Sequence, residues 1–306
     1  MSLRELDKRV VDILKEANFN VSDRCNVYPK SFDRIANKEN LTFVLKVLKD
    51  INGLKVNVAR VLVEISSLLD ADPLLVGVKN RGKKMERGVA YERHGIKAIT
   101  PDTLRDYLIE DIPIIVYAAP GGNFAKLNSN KLKEERLKED ISRGELASRV
   151  GVTRSTIRKY EEGADSALYI AIRLEDEVDA ALFEGIDLSR SGDPEVSRNI
   201  DDPILSLLSS LGLSILPTER APFKALSKAK DKRFLTGIEN YNKRLKKKAH
   251  LISSLSGAID YKSFIVVKET ETLKSNIDDT PLISEDEVFD IESRDEFLEV
   301  VRERSP

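Results

Sequence analysis

Apolar residues recur at Leu3, Leu6, Val10, Ile13, Leu14 and Ala17, one face of a helix over residues 3–17. The period then shortens to strand-like runs at 19–21, 32–36 and 41–48. Val58, Val61, Leu62, Ile65, Leu68 and Leu69 return to helical spacing and predict an amphipathic helix over 57–69. Leu74 to Val78 is a short apolar run of the buried-strand type. Runs at 88–93 and 96–99 flank His94-Gly95, a hairpin-turn pair. Thr100 and Pro101 then open a helix to about 109, Thr100 as its cap and Pro101 at its first position. The pattern predicts a mixed α/β block.

The last third of the chain repeats this order. A helix over 204–211 precedes strand-like runs at 223–227 and 234–239, a helix over 241–258, a strand at 263–267 and a helix over 293–302. At a separation of about 190 residues, Phe32 to Ala36 faces Phe223 to Ser227, and Leu75 to Lys79 faces Phe264 to Lys268. Glu64-Ile-Ser-Ser-Leu likewise faces Leu251-Ile-Ser-Ser-Leu. Either a degenerate internal duplication or chance similarity between two α/β blocks produces such matches. Two turn-rich seams, Ala118 to Asn123 and about Glu184 to Pro203, read as linkers. They place domains at 1–120, 124–184 and 200–306.

Composition narrows the class. With 306 residues, 41% apolar and 33% charged, the chain can bury a sizeable core, which excludes a largely disordered protein. The single Cys25 excludes an internal disulfide framework and a cysteine zinc site, and two distant histidines, His94 and His250, make a histidine metal site improbable. Cys25 and His94 read as structural. No apolar run approaches a membrane span, and the charged start lacks the apolar core of a secretory signal. The expectation is a cytoplasmic protein with no metal, no cofactor and no membrane partner. A net charge of −2 is silent about nucleic acid, so the distribution of charge must decide.

That distribution points to the middle. Between Lys126 and Tyr160 stand ten basic and five acidic residues, the acids mostly on the first helical segment. Ser142 and Glu145 form a capping-box pair, with Leu146, Ala147 and Val150 facing inward. Gly151 suits a tight turn of positive φ. Thr153 caps a short helix from Arg154 to Tyr160, whose Ile157 and Tyr160 face the core and leave Arg154, Ser155, Arg158 and Lys159 outward. Leu168, Ile172, Leu174 and Val178 supply a following helix. A short exposed helix opening with Thr, Arg, Ser and Thr fits the major groove of double-stranded DNA, where Arg154 reaches guanine O6 and N7 or a phosphate. The plainer readings are a four-helix bundle for protein contact and an ordinary solvated basic face.

The stretch Ile141 to Gly163 resembles the lambda-repressor/Cro (XRE-like) family of DNA-binding domains. Leu146-Ala147, Gly151-Val152-Thr153, Ser155-Thr156-Ile157 and Tyr160-Glu161 stand where that family's pattern puts them. The family usually has Gln after the Ser that opens its second helix; here it is Arg143, which suits a phosphate contact more than base reading. The three-block layout is similar to a group of archaeal helix-turn-helix transcriptional regulators. The resemblance implies a sequence-specific regulator that binds a palindromic operator as a homodimer, contacting DNA through Arg143, Thr153, Arg154, Ser155, Thr156, Arg158 and Lys159.

The first block also resembles the restriction-nuclease-like fold with its Asp…Glu-x-Lys signature. Asp33 sits in one strand-like run and Lys46 in the next, but Val44 stands where the Glu is expected; Glu64 is the one substitute in reach. Such enzymes need two carboxylates for Mg²⁺ and a lysine near the attacking water. In the third block Lys224 replaces the counterpart of Asp33. The expected fold is therefore α/β flanking domains, candidates for degenerate and duplicated nuclease-like units, around an all-α helix-turn-helix domain without enzymatic activity. A Mg²⁺-dependent nuclease, or a ligand-sensing or assembly protein whose effector the sequence does not identify, is the alternative. Lys243 to Lys248 is a basic helix face, either solvated or touching DNA backbone; Asp278 to Glu303 is acidic.

Overall fold

The computed structural model describes residues 1–27, 30–188, 199–268 and 274–305. The elements of the first third are α1 (Leu3–Glu16), β1 (Asn20–Val21), β2 (Arg34–Lys38), β3 (Leu41–Asp50), α2 (Val56–Leu68), β4 (Asp72–Asn80), β5 (Lys83–Lys84), β6 (Val89–Arg93), β7 (Ile96–Ile99) and α3 (Pro101–Leu108). The middle holds β8 (Val116–Ala119), β9 (Gly122–Ala125), α4 (Ser129–Lys138), α5 (Arg143–Val150), α6 (Arg154–Glu161), β10 (Ser166–Ala167) and α7 (Leu168–Val178). The last third holds α8 (Pro203–Ser210), β11 (Ser214–Pro217), β12 (Ala225–Ala229), β13 (Lys232–Asn240), α9 (Leu245–Ala258), β14 (Lys262–Lys268), β15 (Asn276–Ile277), β16 (Thr280–Ser284), α10 (Glu285–Asp290) and α11 (Arg294–Arg304). Among the described residues no helix is long and apolar enough to cross a membrane.

Local chemistry explains the boundaries. Thr100 accepts from the Thr103 amide with Pro101 at the first helical position, so α3 starts where its cap and its ring agree. His94 and Gly95 both take positive φ, 53° and 77°, which lets a two-residue turn join β6 to β7 antiparallel. The expected linker at Ala118 to Asn123 is instead a hairpin. β8 and β9 pair antiparallel across it, and β9 pairs with β10. Its glycines serve a turn between strands whose flanks are too short to read as strands from pattern alone. The second expected linker is described only at its edges, because residues 189–198 lie outside the described residues.

One sheet runs β1-β2-β3-β4-β7-β6-β8-β9-β10, with β5 on β4, and the other runs β11-β12-β13-β14-β16-β15. The second order repeats the first six strands of the first. β1–β2 and β2–β3 are antiparallel, as are β11–β12 and β12–β13. Arg34 opposes Leu45 in one copy and Ala225 opposes Thr236 in the other, a constant shift of 191 residues. The Asp33 amide donates to Leu45 O at 2.7 Å, and the Lys224 amide donates to Thr236 O at 2.7 Å. Both copies end in an antiparallel hairpin closed by two positive-φ residues, His94-Gly95 and Asp278-Asp279, and a hydroxyl-capped helix follows each. The two copies thus share one strand order and, across β2–β3 and β12–β13, one register.

The chain forms two compact units. One comprises residues 1–2, 48–53 and 76–188, and the other comprises 3–47, 54–75 and the described parts of 189–306. Within the second unit the two copies meet directly. The Asp23 amide donates to Ser254 Oγ at 2.7 Å, the Ser31 amide donates to Arg220 O at 3.1 Å, and Arg233 Nη1 lies 2.5 Å from Asp70 Oδ2. The core of the second copy gathers Leu208, Phe234, Phe264, Ile283 and Phe297, all buried, with Phe264 edge-on to both Phe234 and Phe297.

Candidate nucleic-acid interface

Four helices of the first unit, α4 to α7, close over one core of Leu132, Leu146, Ala147, Val150, Ile157, Tyr160, Ile170, Ala171 and Leu174. Ser142 Oγ accepts from the Glu145 amide at 3.1 Å, half of the expected capping box. The other half is absent, because Glu145 accepts from Arg149 at 2.6 Å instead. Gly151 ends α5 at φ 78°, and a side chain there would be strained whatever the space around it. Thr153 accepts from the Thr156 amide and starts α6. On α7 the buried residues are Ile170, Ala171, Leu174 and Val178. Ile172 is 46% exposed, and Tyr169 is 68% exposed. The helix starts on Leu168, so its inward stripe falls on Ile170 and Leu174, one turn apart.

The outer face of α6 is basic and accessible. Arg154, Ser155, Arg158 and Lys159 are exposed, while Ile157 and Tyr160 are buried. Arg154 and Lys159 have no hydrogen bond or ion pair among the described residues. Arg158 sits 3.5 Å from Glu162, an exposed pair of little energetic weight. The three hydroxyls at the helix start are joined, Thr153 Oγ1 lying 2.8 Å from both Ser155 Oγ and Thr156 Oγ1. Thr153 is therefore committed to its cap, and Ser155 is the more open of the three.

Arg143 is placed differently from the other expected contacts. Its Nε donates to Glu161 Oε2 at 2.6 Å, and its side chain is 34% exposed. The other Glu161 oxygen accepts from Arg136 Nε at 2.6 Å, and Arg136 Nη1 donates to Ile141 O at 2.7 Å. Arg136 and Glu161 are buried. This clamp ties α4, the start of α5 and the end of α6 together. Burial pushes the Glu161 carboxyl up, but the hydrogen bonds from Arg136 and Arg143 outweigh it and hold it below its ordinary value. Arg143 thus has a structural duty, while the unused nitrogens of its guanidinium remain donors.

The nuclease-motif residues also have a definite geometry. Asp33 stands one residue before β2 rather than within it, and is buried. Its Oδ1 lies 2.9 Å from Lys30 Nζ and 3.7 Å from Arg24 Nη2. Its Oδ2 lies 3.3 Å from Lys46 Nζ and accepts from the Val47 amide at 3.1 Å. Burial pushes the Asp33 carboxyl up, yet Lys46 and Lys30 outweigh it and hold it below its ordinary value, while burial lowers Lys46 against the pull of Asp33. Val44 is fully buried, and Glu64 is engaged by Arg60 at 3.1 Å. One carboxylate ringed by three cations does not suit a divalent metal, which needs oxygen ligands of net negative charge. In the second copy the matching positions are Lys224 and Gly237, with no carboxylate.

Residues 3–114 match the PD-(D/E)XK superfamily domain, and residues 132–176 match a helix-turn-helix family. A protein of Methanococcoides burtonii is 38% identical over 310 residues, covering 97% of this chain and 96% of its own. One of Methanosarcina acetivorans is 37% identical over 322 residues, covering 99% and 98%. One of Archaeoglobus fulgidus is 32% identical over 305 residues, covering 98% of each. All three carry the name "Putative HTH-type transcriptional regulatory protein". No solved structure matches the chain.

Proposed function

The chain belongs to this archaeal family of HTH-type transcriptional regulatory proteins, and from that premise we propose that it is a cytoplasmic, sequence-specific regulator of transcription that binds double-stranded DNA through α6. The observation that carries the reading is Arg154. It is exposed, and unpaired among the described residues, at the first turn of a helix whose inner face is locked into a core by Ile157 and Tyr160. In that position its fork reads a guanine edge, Ser155 and Thr156 offer hydroxyls, and Arg143, Arg158 and Lys159 contact phosphates beside the Thr153 cap. Arg154→Ala should weaken binding to the cognate site by about 1–3 kcal/mol and binding to random DNA much less. Equal losses on both would make Arg154 a phosphate contact and remove the base-reading role.

We also propose that the nuclease-like domain does not cleave DNA. Its one motif carboxylate is already neutralised by Lys30, Lys46 and Arg24. Supercoiled plasmid incubated with the protein and Mg²⁺ should stay supercoiled; nicking that is lost in Asp33→Asn would restore the enzymatic reading.

A single helix-turn-helix spans about half a turn of groove, and the family-matched segment supplies one per chain. We therefore propose a homodimer on a palindromic operator, with half-sites about 34 Å apart or a multiple of that distance. Tyr169 and Ile172, one turn apart on α7, expose apolar surface beside the reading unit. Light scattering at micromolar concentration should give twice the 34.4 kDa chain mass. A monomer mass that persists on cognate DNA with a non-palindromic footprint would sink the dimer.

A further inference from the structure

The second α/β copy carries an open, basic depression at the start of α9. The chain leaves β13 at Asn240, turns through Tyr241 to Arg244, and enters α9 at Leu245. This turn, the start of α9 and the segment from Lys274 to Asp278 line an open cavity of about 620 Å³. That volume lies within the range of small-molecule sites. Lys243, Lys246 and Lys274 line it, and none of them has a hydrogen bond or ion pair among the described residues. The lining carboxylate is Asp278, which already holds His250 Nδ1 at 3.0 Å. Tyr241 is 55% exposed, and Leu245 and Ile277 add apolar wall.

The fold does not require these cations. The matching helix α2 holds the same place in the first copy with one lysine, Lys55 at its N-cap, and none in its first turn, Val56-Asn57-Val58-Ala59. Nor does helix electrostatics favour them. Lys246, Lys247 and Lys248 sit at the positive end of α9, where cations are unfavourable. Among the described residues only Lys248 of these three is compensated, by Glu239. Arg244 supplies no side-chain cap; Asn242 takes the amides of Arg244 and Leu245, which leaves those of Lys246 and Lys247 for a ligand. Unpaired cations around a partly apolar cavity match a ligand with several negative charges and a flat ring.

We propose that this cavity binds a nucleoside polyphosphate. Its phosphates sit between Lys243, Lys246, Lys274 and the first turn of α9, and its base lies against Tyr241. The phosphate chemistry is shared with the DNA backbone, but a concave site with an aromatic wall favours the free nucleotide.

Titration calorimetry on the full chain with ATP, GTP, tripolyphosphate and a short random duplex tests this. ATP or GTP should bind, and Lys246→Glu should weaken it at least about tenfold. Tyr241→Ala should weaken the nucleotide while leaving tripolyphosphate unchanged. Lys243→Gln with Lys274→Gln serves the same purpose if Lys246→Glu fails to melt cooperatively. Arg154→Ala should leave nucleotide affinity unchanged, so failure of the operator reading and failure of this one are separable. The proposal is overturned if neither nucleotide binds, or if binding survives both lysine variants. It is also overturned if the lysines alter duplex affinity alone, which would make the surface a DNA-backbone contact.

Discussion

Glu161→Ala is expected to unfold the helix-turn-helix and abolish DNA binding, although Glu161 touches no DNA in the proposed complex. The carboxylate lies between Arg136 and Arg143, and its removal strands the buried Arg136 guanidinium. Breaking a buried pair from one side costs about 3–5 kcal/mol. That is a large share of the roughly 5–15 kcal/mol that holds a typical domain together. Arg143→Ala should cost less, because its side chain is a third exposed and Arg136 would still hold the carboxylate. Glu161→Leu combined with Arg136→Met should recover much of the loss by replacing the pair with apolar volume. Denaturant melts of the full chain, read beside operator affinity, check all three; a Glu161→Ala protein with an unchanged melt would refute the clamp. The clamp also sets an acid limit. A carboxyl whose folded value is depressed adds stability above its unfolded value and loses it as the pH falls through the folded one. The helix-turn-helix should therefore soften in acid, below the ordinary carboxylate range, and Glu161→Leu/Arg136→Met should remove that contribution.

Asp33→Ala is expected to destabilise the second unit by a comparable amount, about 3–5 kcal/mol. Lys30, Lys46 and Arg24 would be left facing one another around a buried site. The sign discriminates between two roles. A carboxylate that waits for a metal among other carboxylates suffers repulsion, so its loss is neutral or stabilising in metal-free protein. A carboxylate among cations is a structural counter-ion, and its loss is costly. Thermal melts with and without Mg²⁺ read both effects: the wild type should not gain from Mg²⁺, and Asp33→Ala should melt lower in either buffer. A Mg²⁺-dependent gain in the wild type would reopen the metal site.

The helix-turn-helix was legible in the sequence because its determinants are local. Ser142, Gly151 and Thr153 act within four residues of themselves, and Ile157 with Tyr160 marks one face of a short helix. Glu161 was not legible as a buried residue, because the partner that makes its burial tolerable, Arg136, lies twenty-five residues earlier on another helix. The ion pair of Arg143 with Glu161 was hidden for the same reason: a basic side chain at a helix start fits a phosphate contact and an internal ion pair equally. The common strand order of the two α/β blocks showed as segments about 190 residues apart, since register fixes the separation of paired elements. The contact between the copies did not show, because it is made of isolated polar links such as Asp23 with Ser254 and Asp70 with Arg233, which have no periodicity. The lysines of α9 stood out as a charge run, whereas the cavity that gives them a use needs Lys274 and Ile277 from a later hairpin.

The order in which the chain contributes to its two units has a consequence for synthesis. The unit with the helix-turn-helix is complete once residue 188 has been made, whereas β2 of the other unit must wait for α9, which ends at Ala258. At about 5–20 residues added per second, that wait is several seconds on the ribosome. During it, β2 lacks α9, and Asp23, Ser31 and Asp70 lack their partners Ser254, Arg220 and Arg233. The emerging chain is therefore most exposed to aggregation and to proteases after its DNA-reading half has folded, and slow translation across residues 189–258 lengthens that window.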